Sequence, residues 1–249
     1  MSANHFLLIL LKLLQRIGDF VYPRYCEVCG EAVRDYGCEY LCSRCLDKIE
    51  WIEPYRCLGC ARSLPYEIRN QDECEWCRNL HLEFSSCRAC AIYDGVIKDY
   101  MHALKYEKRL YLKGFLFRHM RRIMKNETNR VTYDMIVPVP MVRGRLLDRG
   151  FNQADLLAQS ISSFLGVPVK KKALRRLHHR TTQARLNKHE RISMIQGAFD
   201  VPKKDIVAGK TILIVDDVMT TGSTLNECAK TLKQSSAKDV HVFVWARGR

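Results

Sequence analysis

"ILIVDDVMTTGST" occupies Ile212–Thr224. It opens on an apolar, largely β-branched run, as in a central parallel strand covered on both faces. Two adjacent carboxylates, Asp216 and Asp217, follow directly. A stretch rich in hydroxyls then leads past Gly222 into "TLNECAKTLKQ", which has helical character. This order places the loop Val218–Thr224 beyond the carboxyl end of a strand, where open α/β sheets bind ligands. Backbone N–H groups at the helix start, with Thr220, Thr221, Gly222, Ser223 and Thr224, make a phosphate cradle. Gly222 lets the backbone come close to the phosphate. Carboxylates repel a phosphate but accept hydrogen bonds from vicinal hydroxyls. A ribose 5-phosphate unit satisfies both ends, with its diol on Asp216 and Asp217 and its phosphate on Thr220–Thr224. Capping the next helix needs only one such acid.

The same alternation of strand and helix runs through residues 91–249. Val96–Tyr106 has helical period, with Ile97, Met101 and Leu104 on one face. "LYLKGFLFRHMRRIMKN" continues as a helix despite Gly114. Asp134–Pro140 reads as a strand with a rigid proline exit. "QADLLAQSISSFLG" is a helix closed by Gly166, and "VPV" after it suits a short strand. Val240–Ala246 is a last strand. The fold class is therefore α/β, a parallel sheet with helices on both faces.

Residues 1–90 are different, and hold eleven of the twelve cysteines. Cys26 and Cys29 form a C-x-x-C pair, and Cys42 and Cys45 follow after a gap of twelve residues. Cys57 and Cys60 pair likewise, with Cys74 and Cys77 after a gap of thirteen. Each set of four has zinc-ribbon spacing, and closed four-cysteine sites are structural. Sequential and interleaved pairing both fit the spacing. Cys38 is a spare, Cys87 and Cys90 read as small core residues of a strand, and Cys228 as a buried helix residue. A disulfide scaffold is disfavoured, since a chain of this length builds a core without staples. The expected division is 1–90, an N-terminal helix and double zinc ribbon, and 91–249, the α/β domain.

The net charge of +14 is concentrated: residues 101–191 hold 21 of the 41 Lys and Arg but only 6 of the 27 acids. Such a segment suits phosphates, whether of a small ligand or of nucleic acid, or else a solvated surface. The apolar run Phe6–Leu11 is interrupted by Lys12 and is too short to cross a bilayer. It lacks the flanks of a signal peptide. It reads as an amphipathic helix docked on the protein or resting on a membrane surface, and the expected location is the cytoplasm.

Hydrophobic strand, two acids and a T-T-G-S-T loop resemble the phosphoribosyl pyrophosphate (PRPP) signature of type I phosphoribosyltransferases. Over nearly its whole length the chain resembles the ComF family (ComFC/GntX-like). The shared elements are the double zinc ribbon, "LKYEKR" (Leu104–Arg109), "VPVP" (Val137–Pro140), "RGFNQADLLA" (Arg149–Ala158) and "RTTQARLNKHER" (Arg180–Arg191). The resemblance implies a pyrophosphate-facing loop after Pro140. There Arg143, Arg145 and Arg149 offer forked hydrogen bonds to a diphosphate, and Asn152 and Gln153 add polar contacts at a helix start. Arg149 is the strongest candidate. It also implies a flexible lid, with Arg180, Thr181, Gln183 and Arg185 over the ligand, and a place at the site for Lys105. His178 and His179 read as solvated. Mg²⁺ would come with PRPP, held mainly by ligand oxygens. Zinc would be structural, and the zinc domain is the candidate hood over an acceptor. The function implied is PRPP binding in competence-linked uptake or processing of single-stranded DNA, with DNA-uptake proteins as partners. A phosphoribosyltransferase acting on a small acceptor and a non-catalytic PRPP sensor are the alternatives.

Overall fold

The computed structural model describes residues 24–33, 40–52, 56–64, 74–78, 81–127, 131–177 and 195–249. Its strands are β1 (Ser86–Ile92), β2 (Met135–Pro138), β3 (Arg175–Arg176), β4 (Phe199–Asp200), β5 (Thr211–Met219) and β6 (Asp239–Arg247). Its helices are α1 (Ser43–Leu46), α2 (Glu75–Arg78), α3 (Gly95–Tyr106), α4 (Lys113–Glu127), α5 (Arg143–Arg149), α6 (Gln153–Leu165), α7 (Lys204–Val207) and α8 (Ser223–Gln234). The apolar runs build one parallel sheet of order β1-β6-β5-β2. β3 and β4 form a separate antiparallel ribbon.

Successive side chains of a strand face opposite ways, and β5 divides its residues between two cores. Leu213 and Val215 pack with Ile97, Leu104, Phe115 and Leu157 of α3, α4 and α6. Ile212 and Ile214 pack with Leu225, Cys228 and Leu232 of α8 and with Phe199. Both faces of the sheet are therefore covered, which is why Ile212–Val215 of β5 and Val242–Ala246 of β6 are continuous apolar runs.

Three expectations change. β5 does not stop at Val215. It runs through both acids to Met219, because β6 keeps pairing with it, Asp216 opposite Val244 and Val218 opposite Ala246. The loop shortens to Thr220–Gly222. The segment after Pro140, expected as a loop, contains helix α5; nothing in "RGRLLDR" stops a helix until Gly150, which takes a left-handed φ of 81° as the C-cap. "VPV" after Gly166 gives only a single bridge, between Ile136 and Val169.

β1 spans the expected boundary at residues 90 and 91 and lies beside β6. Its outer edge is covered by the cysteine-rich part. Ile52 N donates to Cys90 O at 3.1 Å, Ile92 N to Glu50 O at 2.9 Å and Cys87 N to Leu58 O at 3.0 Å. Cys87, Cys90 and Cys228 are buried core residues, as expected. The anticipated N-terminal helix, Cys38 and the segment from His178 through Arg191 lie outside the described residues. Among the described residues no helix is long and apolar enough to cross a membrane.

Candidate functional site

The eight expected zinc ligands gather in two clusters, paired in sequence order. The sulfurs of Cys26, Cys29, Cys42 and Cys45 all lie within 4.8 Å of one another, and so do those of Cys57, Cys60, Cys74 and Cys77. Contacts of 3.5 Å (Cys29–Cys42), 3.6 Å (Cys57–Cys77) and 3.7 Å (Cys60–Cys74) are close to the roughly 3.8 Å between sulfurs on a tetrahedral zinc. The second cluster also carries an N–H···S bond, Cys74 N to Cys57 Sγ at 3.3 Å. A hydrogen bond with Cys60 holds the Cys57 thiol down at about 4, and the backbone hydrogen bond at Glu31 holds Cys29 at about 6. Both clusters fit structural zinc, and neither leaves a ligand position for substrate.

The chain takes a left-handed conformation just after the second cysteine of each set, at Gly30 (φ 72°) and at Ala61 (φ 57°). A glycine does this without strain; an alanine does not.

Alternation along β5 separates the two acids. Asp217 shares the face of Leu213 and Val215, where the last turn of α3 brings Lys105. The Lys105 ammonium lies 2.6 Å from Asp217 Oδ2, with these side chains 12% and 15% exposed. Asp216 turns toward α8. Burial, and then the charge of Asp217, push its carboxyl up to about 8, while Lys105 and the Asp217 amide act against that rise. The Asp217 N–H donates to Asp216 Oδ1 at 2.8 Å.

Beside Lys105 a pocket of about 360 Å³ is lined by Tyr106, Lys108, Arg145, Asp148 and Arg149. Arg149 stacks on Tyr106 with its Cζ 4.9 Å from the ring centroid. It also donates to Tyr106 Oη and to Gln153 Oε1, each at 3.2 Å. Gln153 is buried, and its Nε2 has no hydrogen-bond partner. Four cations against one acid make the pocket a basin for anions. Lys105 and Arg149, from distant parts of the chain, thus share one pocket; Arg180 lies outside the described residues. Tyr106, Lys108 and Asp148 are the members missed from sequence; the signal for Tyr106 was an aromatic next to Lys105.

Thr220–Gly222 connects β5 to α8. Gly222 has a left-handed φ of 78°, and a Cβ there would stand 3.3 Å from Met219 Cε. Gly222 has no side chain to cap α8, and the Ser223 N–H makes only a long 3.5 Å bond to Thr221 Oγ1, which a ligand oxygen could replace. Thr221 Oγ1 and Ser223 Oγ lie 3.0 Å apart at this end.

A larger groove of about 1240 Å³ runs between α5 and the β3–β4 ribbon. Arg143, Arg145, Lys171, Lys172, Arg175, Arg176 and Lys203 line it, with Leu174, Ile195, Ala198 and Ile206 on its apolar surface. Its sequence signal was the basic run after Val169, which carried no motif of its own.

A parallel sheet with the acid pair near the end of β5 and an uncapped helix behind a glycine turn defines a type I phosphoribosyltransferase-like protein. The phosphoribosyl transferase domain family matches residues 146–249. The chain belongs to the ComF family. It is 34% identical over 164 residues to the DNA utilization protein YhgH of Escherichia coli K12, covering 63% of this chain and 70% of that one. It is 29% identical to Competence protein F of Haemophilus influenzae, with 83% and 90% of the two chains covered. To Competence protein ComFC of Streptococcus pneumoniae it is 26% identical, covering 89% and 99%. Among solved structures, adenine phosphoribosyltransferase from Saccharomyces cerevisiae is a loose likeness in fold. The TM-score is 0.37 at 18% identity, covering 55% of this chain and 69% of that one.

Proposed function

We propose that this protein binds PRPP at the carboxyl ends of β5 and β2, and acts in competence-linked uptake or processing of single-stranded DNA. The observation that carries the ligand reading is the Lys105–Asp217 pair on the rim of an anion-attracting pocket. A vicinal diol would take over Asp217, freeing the Lys105 ammonium for the diphosphate. Arg149 and Arg145 would hold that diphosphate, Arg149 pre-oriented by its stack on Tyr106. The 5-phosphate would sit on the N–H groups after Gly222, between Thr220 and Thr224. Asp217 is tied to Lys105 and Asp216 is pushed toward neutrality, so the acids offer little charge to a bare dication. Mg²⁺ fits here only together with PRPP, on ligand oxygens. Bound there, it would neutralise diphosphate charge.

Calorimetry with PRPP and Mg²⁺ tests this on the zinc-loaded chain. Wild type is expected to bind, Asp216→Asn/Asp217→Asn to lose binding, and Lys105→Met to weaken it by about tenfold, or roughly 1.4 kcal/mol. No binding by folded wild type would sink the PRPP reading. Binding without turnover, whatever acceptor is offered, would make the protein a sensor.

The DNA part draws support from the relatives' names and from the groove. Its seven cations, of which Lys171 and Arg175 pair with Asp155 and Asp200, suit a phosphodiester chain, and its apolar surface suits bases. Affinity for oligodeoxynucleotides should fall steeply with salt. Lys171→Gln/Lys172→Gln/Arg175→Gln should flatten the log–log slope by about 2, given about 0.7 per phosphate contact. An unchanged slope would exclude this groove.

A further inference from the structure

Arg247 ends β6 and is 0% exposed. A buried guanidinium needs a nearby negative charge, because an isolated buried charge is very costly. Among the described residues no carboxylate pairs with it. Nε donates to the carbonyl of Cys60 at 3.1 Å. Nη1 donates to the carbonyls of Thr220 and Gly248, each at 2.6 Å. Nη2 has no hydrogen-bond partner. Neutral carbonyls orient the cation without supplying a full countercharge.

The negative charge is found one bond system away. Cys60 is one of the four buried thiols of the second cluster, which fits zinc. Four thiolates around Zn²⁺ carry a net charge of −2. Two guanidiniums gather at this cluster: Arg247 lies 5.3 Å, and Arg62 5.5 Å, from the centroid of Trp76, next to Cys77. We infer that Arg247 is a positioning residue that couples the second zinc site to the phosphate-facing loop. The zinc tetrathiolate compensates its charge, and the guanidinium in turn fixes the Thr220 carbonyl. Without the metal the buried cation loses the zinc tetrathiolate that compensates it, and the loop loses its anchor. The value of this coupling for ligand binding rests on the PRPP reading; the coupling itself concerns only the chain and its metal.

Amide hydrogen exchange of Thr220–Ser223 and zinc release to a chelator test it on the full zinc-loaded chain. Arg247→Met should speed exchange of those amides at least tenfold and speed release of one of two zinc equivalents by a similar factor. The amides of β5 and β6 should keep their protection. Arg247→Lys retains charge but cannot span both carbonyls, so it should loosen the loop while retaining zinc more nearly as wild type does. Lys210→Met, which removes the exposed pair with Asp134, should change neither. In wild type, removing the more slowly released zinc should expose the same loop amides. Unchanged loop exchange in Arg247→Met, or in wild type stripped of both metals, would overturn the coupling. Equal loosening of β5, β6 and the loop would overturn it too, since the effect would then be global. If Arg247→Met does not fold, Arg247→Lys and wild-type chelation decide by the same criteria. Calorimetry with PRPP separates the two readings: a coupled loop that binds no PRPP would sink only the ligand assignment, and PRPP binding indifferent to Arg247 and to zinc would sink only the coupling.

Discussion

The first cysteine cluster has Cys29 at the surface, while all four cysteines of the second are buried. The first packs into the core on the α3–α4 face, the second into the core on the α8 face. The spacing is almost the same, twelve against thirteen residues between pairs. Spacing therefore specifies a metal site, whereas its energetic weight comes from where the sheet places it. A metal at the first cluster holds a local knuckle together. A metal at the second would also compensate the buried Arg247 guanidinium, which reaches the β5–α8 turn.

The sharpest way to break this contrast is to remove one ligand from each. Cys74→Ser should abolish zinc at the second cluster and cost about 3–5 kcal/mol, on the scale of breaking a buried charge cluster. Cys29→Ser should also lose one zinc but cost about 1–2 kcal/mol, within the ordinary range for single substitutions. Metal stoichiometry with thermal melts would show it, and equal losses would mean the surroundings do not matter.

The acid pair gives a test on the face of the second cluster. Burial lifts Asp216 from 3.8 to about 8, so the fold binds its proton more tightly than the unfolded chain does. The associated stability is fully present below pH 3.8 and is lost as pH rises toward 8. Asp216→Asn should match wild type near pH 4 and be the more stable of the two at pH 8, as measured by chemical denaturation. An identical pH slope in the two proteins would show that the carboxyl is solvated.

The smallest effect lies in the two left-handed residues. Gly30→Ala has open space around its new methyl but a φ of 72°, and should cost about 1 kcal/mol. Ala61→Gly relieves a strain of similar size while removing a fully buried methyl group worth about 0.8 kcal/mol, so it should be nearly neutral. A clear loss in Ala61→Gly would show that packing outweighs backbone strain at the buried knuckle.

Much of this was legible in the chain. Cysteine spacing and the strand–turn–helix order of Ile212–Thr224 are local signals, and the structure has both the two cysteine clusters and that order. The length of β5 was not, because Asp216 and Asp217 look like a strand end until β6 is known to pair beyond them. The helical form of Arg143–Arg149 was hidden because none of its residues is buried, so it leaves no apolar stripe. The Lys105–Asp217 contact joins residues 112 positions apart, and the resemblance placed Lys105 at the site without naming its partner. Arg247 carried no signal at all. An arginine at the end of an apolar strand reads as surface until the strand is seen to stop against Cys60 and Thr220.

The position of β1 has a consequence for anyone shortening the chain. The recognisable family stretch, 146–249, contains β5 and β6 but neither β1 nor β2, the two outer strands of the main sheet. Cut away from residues before 93, β6 would present one unpaired edge of nine residues, six of them apolar, to solvent. That is a template for pairing with another copy, and a fragment built on it should form aggregates rather than a working minimal domain. The cysteine-rich part, which hydrogen-bonds along β1, thus also serves the molecule as its guard against self-association.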